Sequence, residues 1–411
     1  MSSHCDIINL PIEILGLVFK YIPVMRDKLN LAKSHCVLGK AFAFHAGNIF
    51  KEIEIEKRPI EDWSDILSLC GSSVNSIRAL NYYNRDTDPV SAAKLASKHC
   101  PNLEKFSFRV CSSSWNQLKS LLLTLQNLSY IELRNCSENV SVVDALLQMP
   151  KLKHLQLYGV ENHFIERVGE LSNLTKLTMQ NIERIDFFRV SRSLKNIKSL
   201  EINTAVFQKP NDLGDEQLLP KIELIKINSG IFQTPLPYLP SLKHLCIRST
   251  FDYNMNPSKV FGESVLSYGK TLESLSFRAN SYFFFNVDKI GILMKLKALK
   301  KLELPVESDD CFHDISQLEN LEELSLLNSK ITNRGAIMVI NGCKKLQKLK
   351  ICDCEMVNRN MIKAAVAALQ HCSPRSDKPF LLRVSRDFGH VDKSKLGGVL
   401  DIEHVNPNDE F

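Results

Sequence analysis

The chain has 411 residues, of which 44% are hydrophobic and 24% are charged. The hydrophobic fraction excludes a wholly disordered protein, and the length is that of two or three ordinary domains or of one elongated repeat array. A net charge of +6 is too small over this length to indicate nucleic-acid binding by itself.

The first fifty residues do not repeat, and they predict three short helices. Pro11 suits a first helical position, because its missing N–H would have no helical partner there. Further helices are predicted around residues 29–36 and over 40–46. Three short helices make a small core, so this segment either docks on the rest of the chain or leaves apolar surface for a partner. Apolar residues recur at helical spacing in the first helix and form a wide stripe: Ile14, Leu15, Val18, Phe19 and Ile22.

After this segment, the pattern L-x-x-L-x-L recurs nearly to the end of the chain. Eleven copies start at residues 103, 128, 152, 174, 197, 222, 242, 272, 299, 321 and 346, and degenerate copies start at 50 and 74. The spacing between successive copies averages about 24 residues, within the range of leucine-rich repeats. Chance spacing in a leucine-rich chain does not explain eleven copies in phase.

The alternation within each copy predicts a strand with one buried and one outward face. The other residues of each unit predict a helix or a turn, for example over 334–340. One unit cannot bury its apolar edge, whereas stacked units share a core. The predicted fold is therefore an α/β leucine-rich-repeat solenoid, with parallel strands on the concave face and helices or turns outside, behind a small all-helical N-terminal domain.

The predicted domains are a helical domain over 1–48, the solenoid over 49–375 and a C-terminal segment over 376–411. That last segment contains a closing strand at 380–384 and an acidic tail over 401–411, which has no Lys or Arg.

Residues that alternate with the strand leucines are predicted on the concave face, where basic side chains outnumber acidic ones. Arg109 and Arg134 occupy the same position in adjacent repeats, as do Arg248 and Arg278. Parallel strands lie about 5 Å apart, so each pair is spaced to clamp one anion. Two interpretations stay open. This face binds an acidic or phosphorylated segment of a target protein, or its charges only keep it soluble.

Three repeats are longer than the others and place aromatic residues in predicted loops, at 82–83, 251–255 and 282–285. Insertions in solenoids map to loops, often on a binding face, and exposed aromatic residues there would anchor a partner. The alternative is packing over a neighbouring repeat. The candidate target-binding residues are Arg109, Arg134, Tyr158, Arg248, Arg278 and Phe284.

The sequence contains no recognisable catalytic, phosphate-binding or metal-binding motif. Cys352 and Cys354 have no second pair at ligand spacing, and no glycine-rich phosphate loop or nucleophile motif occurs. We therefore predict a protein that is not an enzyme and has no metal and no cofactor. Twelve cysteines without a readable secretory signal indicate reduced thiols in the cytoplasm or nucleus. No apolar run reaches the roughly 20 residues of a membrane-spanning helix.

Two parts of the sequence resemble known families. The segment Leu10-Pro11-x-Glu13-x-Leu15-x-x-Val18-Phe19-x-Tyr21-Ile22, followed by Leu29, Leu31-Ala32 and Cys36, resembles an F-box. The tryptophan that usually follows the cysteine in this family is absent here, and Phe42 and Phe44 are the nearest aromatic residues. Cys100-Pro-Asn-Leu103 and Cys343-Lys-Lys-Leu346 resemble the cysteine-containing subtype of leucine-rich repeat. An F-box followed by cysteine-containing leucine-rich repeats is typical of F-box/leucine-rich-repeat substrate receptors.

The resemblance implies that the N-terminal segment binds the Skp-type adaptor of a cullin–RING (SCF-type) E3 ubiquitin ligase. The repeats would then hold a target protein for ubiquitination. Two alternatives stay open. The first is a repeat scaffold without a ligase role, whose helical segment only caps the solenoid. The second is a basic-faced nucleic-acid binder, which the small net charge disfavours. The residues implied at the adaptor are Leu10, Pro11, Ile14, Leu15, Val18, Phe19 and Cys36.

Overall fold

The computed structural model of the chain describes residues 7–80, 89–110, 113–134, 141–160, 162–182, 185–211, 217–249, 256–279, 283–371, 378–385, 388 and 396–405. The chain divides into two compact units, Met1–Ile182 and Glu183–Phe411. No helix in the described parts of the chain has the length and apolarity needed to cross a membrane.

The first unit begins with a helical head of three helices, α1 (Ile12–Tyr21), α2 (Met25–Ser34) and α3 (Cys36–Ala46). Pro11 stands at the N-cap of α1, where a missing N–H removes no helical hydrogen bond. Helices α1 and α2 each pack against α3. All three helices were predicted, although α3 begins at residue 36 and not at residue 40.

Parallel strands in chain order, with helices between them, form the rest of the first unit. The buried strand residues follow the predicted register: Phe106 pairs with Ile131, Ile131 with Leu155, and Leu155 with Leu177, all 0% exposed. The elements are β1 (Glu52–Glu54), α4 (Ile60–Cys70), β2 (Ser76–Ala79), α5 (Pro89–His99), β3 (Lys105–Arg109), α6 (Trp115–Leu122), β4 (Tyr130–Arg134), α7 (Ser141–Leu146), β5 (His154–Tyr158), α8 (Asn162–Val168) and β6 (Lys176–Gln180).

The second unit repeats the same plan. Its elements are β7 (Ile185–Asp186), α9 (Phe187–Ser193), β8 (Ser199–Ile202), β9 (Ala205–Phe207), β10 (Leu224–Ile227), β11 (Gly230–Phe232), β12 (His244–Ser249), α10 (Pro257–Phe261), α11 (Val265–Tyr268), β13 (Ser274–Ala279), α12 (Val287–Leu293), β14 (Lys301–Glu303), α13 (Cys311–Ile315), β15 (Glu323–Leu327), α14 (Asn333–Gly342), β16 (Lys348–Cys352), α15 (Met361–His371), β17 (Phe380–Ser385) and β18 (Leu400–Val405). Nine strands follow the order β8-β10-β12-β13-β14-β15-β16-β17-β18, while β7, β9 and β11 form a separate parallel sheet.

Both units therefore show the predicted α/β leucine-rich-repeat solenoid fold. Within each, parallel strands are connected through helices or turns, and the strand leucines form a continuous core.

The small sheet of β7, β9 and β11 departs from the prediction of helices or turns after each main strand. Its core is a stack of phenylalanines, with ring centroids 4.6 Å apart between Phe187 and Phe207 and 4.4 Å apart between Phe207 and Phe232. Strands of two or three residues are too short to show a readable alternation of apolar residues. The sequence pattern therefore did not reveal them.

At the C-terminus, β17 confirms the predicted closing strand, but the prediction of a tail beginning at residue 401 is wrong for 401–405. Strand β18 pairs in parallel with β17 along its whole length and buries Leu400 and Ile402 at 3% exposure each. Glu403 faces outward and accepts a hydrogen bond from Arg383 Nε at 2.8 Å. Two of the acidic residues that suggested a tail, Asp401 and Glu403, lie on one face of this strand. Residues 406–411 lie outside the described residues.

In several repeats an asparagine stands directly before the strand leucine and connects its repeat to the preceding one. Carbonyl groups that take no part in a sheet or helix still need a donor, and these side chains supply it. Each Nδ2 donates to a backbone carbonyl 23 to 30 residues earlier: Asn102 to Ser72, Asn127 to Pro101, Asn173 to Pro150 and Asn320 to Lys297.

Candidate functional site

Helix α1 is apolar on two sides, and the described part of the chain covers one of them. Leu15 and Phe19 are 0% exposed, whereas Ile14, Leu17 and Tyr21 are 44%, 50% and 82% exposed. The last three stand at positions i, i+3 and i+7, so they share one face of the helix. We call these three residues the α1 row.

The structure divides the residues that the F-box resemblance implies at an adaptor. Leu15 and Phe19 lie in the core of the head, so the expectation that these two face an adaptor is wrong. The apolar stripe of α1 is wide enough to cover two faces of the helix, and one of them packs against α3. Leu17 and Tyr21 were not in the predicted set, although their spacing from Ile14 would have revealed the shared face. Five of the implied residues are at least partly exposed: Leu10, Pro11, Ile14, Val18 and Cys36.

The head is fixed to the first repeat. Helix α3 packs on α4, and Lys33 Nζ on α2 lies 2.6 Å from Asp65 Oδ1 on α4. Phe50, just after the head, meets Trp63 edge to face with ring centroids 5.9 Å apart. The α1 row is therefore presented from a defined place on the first unit.

The second candidate surface is the open face, by which we mean the strand side opposite the buried leucines. In the first unit the register places Arg109 beside Arg134, as predicted, and it places Arg134 beside Tyr158. Arg134 Nη2 lies 2.7 Å from Glu132 Oε1, and its guanidinium lies 4.6 Å from the centre of the Tyr158 ring. Glu132 compensates the charge of Arg134, which weakens the predicted clamping of an anion between Arg109 and Arg134.

Tyr130 and His154 form a half-buried contact on the same open face. Their rings stand edge to face with centroids 4.5 Å apart, and His154 Nε2 lies 3.4 Å from Thr178 Oγ1. Burial raises the pKa of Tyr130 to about 12. Burial, with smaller effects of Lys176 and Lys105, lowers the pKa of His154 to about 4. His154 is therefore neutral at pH 7.

We expect acid to destabilise the first unit partly through His154. Its pKa is about 4 in the folded chain and near 6.5 when unperturbed, so the unfolded chain takes up the proton first as the pH falls. The free energy of unfolding therefore decreases between about pH 6.5 and pH 4. Urea unfolding of the wild type and His154→Asn at about pH 7 and pH 4.5 measures this. The loss of stability on acidification should be smaller in the variant, and an equal loss would contradict the assignment.

In the second unit, the open face holds a pocket of about 340 Å³ on β10, β12, β13 and β14. Small outward side chains stand on its two middle strands, namely Cys246 on β12 and Ser274 and Ser276 on β13. Because these three side chains are short and those around them are longer, a depression forms between them. The larger polar residues that line the pocket are Lys226, His244, Arg248, Arg278, Lys301 and Glu303.

The two predicted arginines of this pocket have different surroundings. The register pairs Arg248 with Arg278, as predicted. Glu303, only 1% exposed, accepts hydrogen bonds from Arg278 Nε at 3.0 Å and from Ser276 Oγ at 2.5 Å. Arg248 makes no ion pair with any residue that the structure describes. The repeat register predicted the positions of both arginines, but not the ion pair between Arg278 and Glu303.

Of the predicted aromatic loops, only residues 283–285 are described, and 82–83, 251–255 and Tyr282 lie outside the described residues. Phe283 and Phe285 are 5% and 0% exposed, so these two rings pack within the unit. Phe284 is partly exposed, and Lys330 Nζ lies 4.4 Å from its ring centre. Phe284 therefore stays a predicted target contact.

No protein-family model and no curated protein matches the sequence. Three solved structures are similar to it. An internalin (InlF) from Listeria monocytogenes is 15% identical, over 87% of this chain and 96% of its own, with a TM-score of 0.46. TLR13 in complex with ssRNA13 is 16% identical, over 85% of this chain and 60% of its own, with a TM-score of 0.39. Rad7 in complex with Elc1 from yeast is 14% identical, over 95% of this chain and 92% of its own, with a TM-score of 0.44.

The repeat fold is shown by the register of the strands themselves. Among the described residues, no three His, Cys, Asp or Glu side chains are grouped so that they could hold a metal ion.

Proposed function

We propose that the protein is the substrate-recognition subunit of a cullin–RING (SCF-type) E3 ubiquitin ligase. The observation that supports this is the α1 row, in which Ile14, Leu17 and Tyr21 expose large apolar side chains on a helix whose other face is packed. Contiguous exposed apolar surface is typical of protein interaction sites. The row lies within the segment that resembles an F-box.

In this proposal the head binds the Skp-type adaptor through the α1 row, with Leu10, Pro11 and Val18 at its border. The repeats hold a target protein. The protein contributes proximity, because it raises the effective concentration of the target near a ubiquitin-charged enzyme, and partner proteins supply the bond-making chemistry. The Lys33–Asp65 ion pair and the packing of α3 on α4 would give a bound adaptor a defined place on the first unit.

The alternative is a repeat scaffold without a ligase role, in which the head only caps the open end of the first unit. The complete burial of Leu15 and Phe19 favours it, since the head has an apolar core of its own. A cap requires that core, but it does not require the exposed α1 row.

A double substitution of Leu17 and Tyr21 by alanine distinguishes the two. It should weaken binding to a purified Skp-type adaptor by about 30-fold or more, because truncating central anchors of an interface costs about 2 kcal/mol or more. Alanine favours the helix and both side chains lie on the surface, so the thermal unfolding temperature should stay unchanged. Isothermal titration calorimetry on the full chain measures the affinity.

Leu266→Ala is the matched control, because Leu266 is 65% exposed on α11 of the second unit. This variant should bind the adaptor as the wild type does. Wild-type affinity in the Leu17→Ala/Tyr21→Ala chain, or no adaptor binding by the wild type, would refute the ligase role and favour the scaffold.

A further inference from the structure

The pocket on the open face of the second unit has an unequal set of charges. Its basic lining residues are Lys226, Arg248, Arg278 and Lys301, whereas Glu303 is its acidic lining residue. Burial lowers the pKa of His244 below its ordinary value of 6.5, so this imidazole adds no positive charge near pH 7.

Part of the positive charge of the pocket is compensated by carboxylates of the protein. Glu303 lies 3.0 Å from Arg278 Nε. Lys301 Nζ lies 2.8 Å from Glu323 Oε1, and the other oxygen of that carboxylate lies 3.2 Å from Lys348 Nζ. Lys226 also interacts with other groups of the protein. Arg248 has no acidic partner among the described residues, so its guanidinium is available to an acidic ligand, whereas that of Arg278 is held by Glu303.

The shape of the pocket limits what can reach this guanidinium. Its volume of about 340 Å³ lies at the low end of the range for small-molecule sites, so it admits a side chain or two and not a folded element. Cys246 and Ser274 keep its centre open. Arg278 uses Nε to bond Glu303, and a guanidinium has further N–H donors for a group that enters beside Arg248.

We propose that this pocket binds the carboxylate of one aspartate or glutamate side chain from an extended segment of the target protein. Arg248 is the main donor, and Arg278 is the neighbouring donor. The inference rests on the proposed function in one respect, namely that the repeats hold the target. A singly charged carboxylate matches the guanidinium of Arg248, which no described carboxylate holds. A phosphate group carries a charge of about −2 at neutral pH and would stand close to the buried carboxylate of Glu303.

Glu303 therefore sets the charge that the pocket accepts. It receives hydrogen bonds from both Ser276 and Arg278 on β13, which holds one arginine in a neutral pair and leaves the other free. Removing the charge of Glu303 releases a second guanidinium and changes the preferred ligand from a singly to a doubly charged anion.

Ligand-observed NMR with the full chain tests this proposal, using three Gly/Ser peptides that differ only at a central residue. That residue is glutamate, glutamine or phosphoserine. The wild type should broaden the resonances of the glutamate peptide and not those of the glutamine peptide. Arg248→Gln should weaken binding of the glutamate peptide by about tenfold or more. Lys270→Gln is the matched control, because Lys270 is an exposed cation outside the pocket, and it should bind as the wild type does.

The second part of the test looks for a variant that gains affinity for the phosphoserine peptide. Glu303→Gln keeps an acceptor for Ser276 but removes the negative charge, so it should raise the affinity for the phosphoserine peptide by about tenfold. A misfolded variant would not gain affinity. Equal binding of the glutamine and glutamate peptides, no binding of the glutamate peptide, unchanged binding in Arg248→Gln, or tighter binding of phosphoserine than of glutamate by the wild type would each overturn the proposal.

Adaptor affinity measured on the same proteins separates this inference from the ligase role. Arg248→Gln should bind the adaptor as the wild type does, because the pocket lies in the second unit and the α1 row in the first. A chain that binds the glutamate peptide but no adaptor would retain the pocket assignment and lose the ligase assignment.

Discussion

Replacing Phe19 by alanine should unfold the helical head. The ring is 0% exposed and packs with centroid distances of 5.5 Å to Phe42 and 6.4 Å to His45. A Phe→Ala change in a core costs about 3–5 kcal/mol, a large share of the stability of a small domain. Hydrogen exchange measured by mass spectrometry should show lost protection in α1 and α3 and retained protection in β3 to β5.

Leu17→Ala is the control for this result, because it truncates a side chain that is 50% exposed on the same helix. It should change the free energy of unfolding by less than about 0.5 kcal/mol. The comparison also separates two causes of lost adaptor binding, since Phe19→Ala would act by unfolding the head and Leu17→Ala by removing a contact. Unchanged protection of α1 in Phe19→Ala would contradict the placement of this ring in the core.

Replacing Gly269 by alanine should destabilise the second unit by about 3 kcal/mol. Gly269 follows the end of α11 and precedes Leu272 by three residues. A Cβ at this position would lie 2.4 Å from the backbone oxygen of Lys295 in the next repeat, which is closer than non-bonded atoms approach. Backbone cannot rotate away as a side chain can, so the two repeats would have to separate. A Cβ added at Gly71, the corresponding position in the first unit, would likewise come too close to the backbone oxygen of His99.

Gly291→Ala is the matched control in the same unit, with the opposite expected sign. Gly291 lies within α12, and the nearest atom to an added Cβ is Asp314 Oδ2 at 4.0 Å. Alanine is favoured over glycine inside a helix by about 0.5–1 kcal/mol. Guanidinium unfolding of both variants measures the difference, and a similar effect at both positions would rule out the close backbone contact as the cause.

The repeat fold could be predicted from the sequence because two periods reinforce each other. Alternation within a strand identifies residues such as Leu155 as buried, and the repeat of about 24 residues brings Leu155 beside Ile131 and Leu177. The same register predicts that Arg248 lies beside Arg278, as the strand pairing shows. The repeat pattern does not predict the small sheet that contains Phe207, because that sheet stands where the pattern predicts helices or turns.

The candidate surfaces were harder to predict, for two physical reasons. A helix that is apolar around more than half of its circumference does not reveal which side packs, so Leu15 and Leu17 could not be assigned to core or surface until α3 was placed. The charge available to a ligand depends on neighbours in space, and Glu303 stands 25 residues from Arg278 in the chain. The register puts Glu303 on the same face as Arg278, but it does not show that the two side chains form an ion pair.

The asparagine side chains that reach back one repeat have a mechanical consequence. In the first unit, Asn102, Asn127 and Asn173 each connect neighbouring repeats, and among the described residues of that unit no asparagine bond of this kind spans several repeats. When the two ends of that unit are pulled apart, the load falls on one such junction at a time, so extension should proceed by peeling. Each rupture would release a contour length of about 80 Å, and an optical trap would record a staircase with steps of that size instead of a single large jump.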